Sequence, residues 1–416
     1  MFDPVTADVL RSAPALPGLD PEVLPQLLTA QYAELVARRL RMTEGGDEVA
    51  DGGTDTGWPL TRIADSYELI VSIQSEPDTR RAAAFVAGTA QQILAQEAAA
   101  ADIDADTPIM DRDGIDSAVA AAVLFLAAEQ YADAHEAASN IRPQDRPQHY
   151  VCTLLAEDIR DLASGRFESI LERAERRPAA FVSAPSLEER STTALFEALI
   201  VGVELFAAEV LSVAVPEKAQ RRFDGAQAAF QRVIQLSSRD HAGLGLEAER
   251  LMTSYPGPRH IASLLLAAYE STVGAAVTKV LPPGGANADF WQKWLRHRAS
   301  TAPFLWPNHR EALGKCFQDT GKSAVLVLPT GAGKTTVSCV KIAGALARGK
   351  SVIFIAPTHA LVDQLTEDLQ QVFPEELGGS VVSSDFDRAF AAGSALESIE
   401  VMTPERCLAL LSYAPE

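Results

Sequence analysis

The chain has 416 residues, of which 47% are hydrophobic and 22% charged, with a formal net charge of -20. That length and ordinary globular composition fit two or three domains with cores of their own and exclude a disordered chain. Residues 291–416 hold about 12 basic and 13 acidic groups and residues 1–290 about 24 and 43, so the acidity lies at the front, where it would repel a phosphate backbone.

The first 290 residues use arginine almost throughout, with no lysine before Lys218. The opening "MFDPVTADVL" is acidic and mixed, unlike a charged-then-apolar leader. The most apolar stretches are Ala118 to Ala128, too short for a bilayer, and Ala194 to Val215, interrupted by Glu197, Glu204 and Glu209. A cytoplasmic protein without membrane spans is expected. Four scattered cysteines, Cys152, Cys316, Cys339 and Cys407, lack metal-ligand spacing and read as reduced, mostly buried thiols.

Residues 43–57, "TEGGDEVADGGTDTG", have almost no apolar side chains and are expected to be a mobile loop. From about residue 20 to 280, Ala, Leu, Glu and Arg recur at three- and four-residue spacing between proline-containing breaks. This predicts an all-α N-terminal domain of helical hairpins over residues 1–280. Three pieces, at 128–139, 164–177 and 221–236, place Tyr131, Phe167 and Phe223 in similar helical settings. They resemble the first helix of a tetratricopeptide hairpin, although the spacing of the aromatics is not regular. A repeat array and an irregular helical domain both remain open on the sequence, and either suits docking a protein partner.

"DRDGIDSA", from Asp111, has the look of a calcium loop but not its ligand spacing. Asp116 or Ser117 capping the apolar helix that follows is the expected role. "LPPGGANAD", residues 281–289, reads as a linker. "FWQKWLRHRAS" then carries Trp291 and Trp294 beside Lys293, Arg296 and Arg298. Packing of both Trp onto neighbouring structure is preferred to stacking on bases.

From Ser323 the chain alternates apolar runs with helices: "AVLVLP", "TTVSCVKIAGALA", "SVIFIAPT", "ALVDQLTEDLQQVF", "VVSSD", "IEVMTP". That rhythm predicts a parallel sheet with crossover helices. Between the first run and the first helix lies "PTGAGKTT". Gly331 and Gly333 permit backbone conformations that turn successive N–H groups onto an anion. Lys334 would bring its charge to the phosphates, and Thr335 its hydroxyl to Mg²⁺, at the positive end of the helix.

"LPTGAGKTT" resembles motif I of superfamily 2 helicases and translocases, with Leu328 where the general phosphate-loop pattern has glycine. "APTHALVDQ", beginning 22 residues after Lys334, resembles motif Ia, and "TPER", Thr403 to Arg406, resembles motif Ib. "LWPNHREAL", residues 305–313, is similar to the adenine-recognition segment of DEAD/DEAH-box relatives, with His309 where Gln is usual. The resemblance implies an incomplete α/β RecA-like domain over residues 290–416. It implies ATP and Mg²⁺ as cofactors, held by Trp306, His309, Pro329, Thr330, Gly331, Ala332, Gly333, Lys334, Thr335 and Thr336, with Thr335 meeting the metal. It also implies a nucleic-acid partner, DNA being favoured over RNA, touched through Thr358, His359, Thr403 and Arg406.

Hydrolysis in this family needs an Asp-Glu pair and arginines from a second motor domain. No Asp-Glu pair follows Thr335, so no catalytic residue is assigned and these residues alone are expected to bind nucleotide but scarcely hydrolyse it. A large helical domain ahead of such a motor resembles bacterial mobile-element and phage-defence helicases. The alternative is a protein-binding helical scaffold with an inert motor remnant.

Overall fold

The structure, a computed structural model, describes residues 59–73, 76–100, 108–143, 150–177, 186–215, 222–240, 252–321, 323–329, 331–377, 379–383 and 397–413, with scattered positions before residue 40 and residue 219. The expected loop at 43–57 and Thr330 lie outside the described residues. Residues up to Gly274 form one compact unit, and those from Ala275 onward form a second.

The first unit is helical: α1 (Leu60–Ile73), α2 (Pro77–Ala100), α3 (Ser117–Ala127), α4 (Tyr131–Ser139), α5 (Tyr150–Ala163), α6 (Phe167–Arg176), α7 (Leu187–Leu211), α8 (Ala226–Leu236) and α9 (Pro256–Thr272). Asp116 caps α3, its carboxylate accepting from the Ala118 N–H at 2.7 Å. Every residue from Ala118 to Ala127 is then buried, because an apolar helix with no polar face must be covered on all sides. α2, α4, α5 and α9 cover it. A solenoid helix meets only its neighbours in the chain. The contact between α3 and α9 therefore makes this an irregular helical unit rather than a repeat array.

Small residues set the closest approaches. A Cβ on Gly202 of α7 would lie 2.5 Å from the Phe230 ring of α8, and one on Gly257 would lie 2.1 Å from the Asp111 carbonyl oxygen. The Gly257 N–H donates to the Arg112 carbonyl at 2.8 Å, so the "DRDG" turn is docked on the start of α9. Charge is buried in pairs: Arg177 holds Glu204 through two hydrogen bonds of 2.9 and 3.0 Å. Arg173 of α6 donates to Asp158 of α5 at 2.9 Å and also bridges to Asp161. Glu68, fully buried on α1, accepts from Gln91 at 2.6 Å and meets His260 of α9 at 2.5 Å. One departure from all-α is an antiparallel ribbon, β1 (Ser238–Asp240) with β2 (Met252–Ser254). Three-residue strands are too short to show a period-2 pattern in sequence.

The second unit contains α10 (Ala288–Thr301), α11 (Pro307–Gly314), α12 (Lys334–Leu346), β3 (Val352–Ile355), α13 (His359–Val372), β4 (Val381–Ser383), β5 (Ile399–Met402) and α14 (Pro404–Tyr413). Residues 281–289 pack within it. Pro283 lies 3.1 Å from where a Cβ on Gly344 would stand, and Asn287 caps α10 while its N–H donates to Ala347. Trp291 and Trp294 are fully buried, Trp294 stacking on Phe373 at 5.7 Å, so neither presents a face to a base.

The sheet is parallel, in the order β3-β5-β4. The strand expected at 324–329 is not formed. Among the described residues nothing pairs with it, and Val325 and Val327 stand 91% and 84% exposed. A strand exists only through its ladder partners, however β-prone its side chains. Of the cysteines, all free, only Cys339 is buried, and Cys316 is exposed.

Candidate functional site

The loop expected to hold phosphate is built from backbone. Gly331 and Gly333 take φ of 78° and 71°, the left-handed region where a side chain is costly. Gly333 is the N-cap of α12, so the first N–H groups of that helix face outward without intrahelical acceptors. Around Gly331 no atom lies within 4 Å of a would-be Cβ, leaving open space beside the loop. Lys334 is exposed and folds back, donating from Nζ to the Pro329 carbonyl at 3.0 Å. Thr335 is exposed and Thr336 half-buried at the same helix end. This donor-rich helix start suits phosphate oxygens, and the exposed Thr335 hydroxyl suits one position on a phosphate-bound Mg²⁺. Among the described residues no group of three or more His, Cys, Asp or Glu could hold a metal ion by protein ligands.

The segment expected to recognise adenine meets this loop from α11. His309 is 2% exposed and its Nε2 lies 3.0 Å from the Ala332 carbonyl. A carbonyl only accepts, so Nε2 carries the proton; Nδ1 accepts from the Trp306 N–H at 3.4 Å. Asn308 donates to the same Ala332 carbonyl at 3.0 Å. The Trp306 indole, 42% exposed, stacks on the imidazole at 5.3 Å with planes 5° apart. Burial pushes the imidazole below its usual pKa; the Ala332 hydrogen bond opposes that shift and the charge of Arg298 adds to it. Lys341 of α12 braces the approach to the loop, donating to the Phe317 and Asp319 carbonyls at 3.0 Å.

The four residues expected to meet nucleic acid follow the carboxyl ends of two neighbouring strands. β3 and β5 are neighbours in parallel register, Ile355 opposite Met402, and the Ala356 N–H donates to Met402 at 2.9 Å. Their ends feed α13 and α14 side by side. Thr358 caps α13 through the Leu361 N–H at 3.3 Å, with His359 as the first helical residue. Glu405 is held below the usual carboxylate range first by its own N–H and then by the Thr403 hydroxyl, with nearby His359 adding attraction. Thr403 itself is buried, so its hydroxyl is spent inside the turn. Arg406 points inward: its Nε and Nη2 are buried with no hydrogen-bond partner among the described residues.

Asn308, Lys341 and Glu405 take parts in this geometry that the motifs did not flag. Asn308 stands beside His309 in a segment already singled out, whereas Lys341 has no local signal because its acceptors lie 22 and 24 residues back.

A glycine turn at a helix start, followed by a small parallel sheet whose strands feed the N-termini of α13 and α14, is the arrangement of an incomplete RecA-like domain. Residues 306–415 match the model of the DEAD/DEAH box helicase family, as expected of part of a superfamily 2 helicase. A domain of this family is that of an ATP-dependent helicase, a class that generally uses ATP with a divalent metal and binds nucleic acid. Among curated proteins the chain has no match. Among the described residues, no helix is long and apolar enough to cross a membrane.

Proposed function

We propose that this chain is part of an ATP-dependent superfamily 2 helicase or translocase, with residues 290–416 as the opening part of its first motor domain. The observation that carries the reading is the phosphate loop: two left-handed glycines, open space at Gly331 and a helix beginning at Lys334. Pro329, Gly331, Ala332, Gly333, Lys334, Thr335 and Thr336 would hold the phosphates, with Thr330, which lies outside the described residues, expected among them. Bound Mg²⁺ would supply neutralisation of phosphate charge, Thr335 being its contact on this chain. Trp306 would offer its exposed indole face on the base side.

The 416 residues by themselves would bind nucleotide and scarcely hydrolyse it, since no Asp-Glu pair follows Thr335 to hold the metal and activate water. Nucleic acid would meet the paired helix N-termini at Thr358, His359 and the Thr403 to Arg406 turn, through backbone phosphates that carry no sequence information. DNA is the favoured substrate, a large helical domain ahead of such a motor resembling mobile-element and phage-defence helicases. The excess of acidic groups in residues 1–290 favours a protein rather than a nucleic acid as partner of the helical unit.

Titration of the chain with a fluorescent ATP analogue tests the nucleotide reading. Lys334→Ala is expected to weaken binding at least about tenfold, the scale of one lost charge-assisted contact. Binding that ignores Lys334, or no binding at all, would favour the scaffold reading, in which the helical unit recruits a partner and the motor portion is inert.

A further inference from the structure

We propose that His309 is a positioning residue of the phosphate loop rather than a reader of the base. The inference rests on the nucleotide-binding role proposed above and assigns the adenine-side segment a different task within it. Both ring nitrogens are already engaged by the protein, one donating to Ala332 at 3.0 Å and the other accepting from Trp306 at 3.4 Å. With 2% of the residue exposed, no ring edge is free to meet an adenine.

The other side of the contact is as constrained. Gly333 leaves no room for a side chain, since its Cβ would stand 2.4 Å from His309 Nε2. Asn308 adds a second donor to the Ala332 carbonyl, 3.0 Å away, so two side chains of α11 fix one peptide of the loop. Fixing that peptide orients the Gly333 and Lys334 N–H groups, which a phosphate would have to meet. A preorganised anion cradle binds more tightly because it spends no binding energy on ordering itself. The chemistry recognised through His309 is therefore the polyphosphate, whatever base it carries.

The test uses the 416-residue chain, with His309→Ala and His309→Gln, and three probes: Mg-ATP, Mg-GTP and inorganic triphosphate. Amide hydrogen exchange over residues 331–336 is followed without ligand. His309→Ala is expected to speed that exchange and to weaken all three probes by one common factor, about tenfold for a lost buried hydrogen bond. Gln, with an amide donor and acceptor of similar reach, is expected to restore most of both. Unchanged exchange, or a loss confined to ATP, overturns the positioning role. If no probe binds the unaltered chain but exchange still responds to His309, the nucleotide reading fails and the bracing of the loop stands. In the unaltered chain, ¹⁵N shifts of the ring are expected to show a protonated Nε2 and a bare Nδ1; the opposite tautomer overturns the proposal whether or not His309→Ala folds.

Discussion

Gly331 and Gly333 share a left-handed backbone but not their surroundings, so alanine at the two positions should fail differently. At either one a Cβ costs about 1–2 kcal/mol of backbone strain. At Gly333 it also strikes the His309 ring, whereas at Gly331 it enters open space. Gly333→Ala is therefore expected to lower the thermal unfolding midpoint and to abolish binding of the ATP analogue. Gly331→Ala should weaken that binding while moving the midpoint less, which scanning calorimetry beside the titration would resolve. Both glycines were legible in the sequence, because their spacing from Lys334 signals a phosphate turn. The clash that makes Gly333 obligatory was not, since it comes from a residue 24 positions away whose side chain had first to be buried. The same holds for Arg406, read from "TPER" as a phosphate contact and placed with two guanidinium nitrogens turned inward.

Among the elements, α5 and α6 carry a pH-sensitive contact. Burial pushes the Asp158 carboxyl up to about 7, against the pull of Arg173, with Glu204 and Asp161 adding to the rise. A carboxyl raised above its unfolded value stabilises in its protonated form. That contribution is complete below about 3.9, the ordinary Asp value, and is lost as pH rises through about 7. The midpoint of the helical unit in urea should therefore fall between pH 5 and pH 8 by more in the unaltered chain than in Asp158→Asn. An equal fall in both would remove Asp158 as the cause. Most helices were legible from periodicity, and α3 was legible as an apolar helix from its unbroken run. That α9 covers it was not, because a helix partner more than a hundred residues away leaves no local pattern. The strand expected at 324–329 shows the converse limit: β-branched residues record a preference, and only a neighbouring strand turns the preference into structure.

For the whole molecule, charge decides how it should meet nucleic acid. The edge formed by α13 and α14 offers helix N-termini, one histidine and an inward-turned Arg406, while residues 1–290 are strongly acidic. Few phosphates can be neutralised there. Fluorescence anisotropy with single-stranded DNA is expected to show weak binding, with a slope of log affinity on log salt no steeper than about -1.5, as for roughly two phosphate contacts. A slope several times steeper would mean that a basic surface elsewhere governs binding. The sequence by itself determined the acidity of the front, the change of texture near residue 290 and a succession of segments that resemble helicase motifs, the glycine turn before Lys334 among them. Composition and short-range spacing encode those features directly. The tertiary structure alone decided that α3 lies at the centre of the helical unit, that Trp291 and Trp294 are core, and that His309 faces the loop rather than solvent. Each of these depends on which distant residue fills the space next to it, and burial and hydrogen-bond pairing are settled only when the chain has packed.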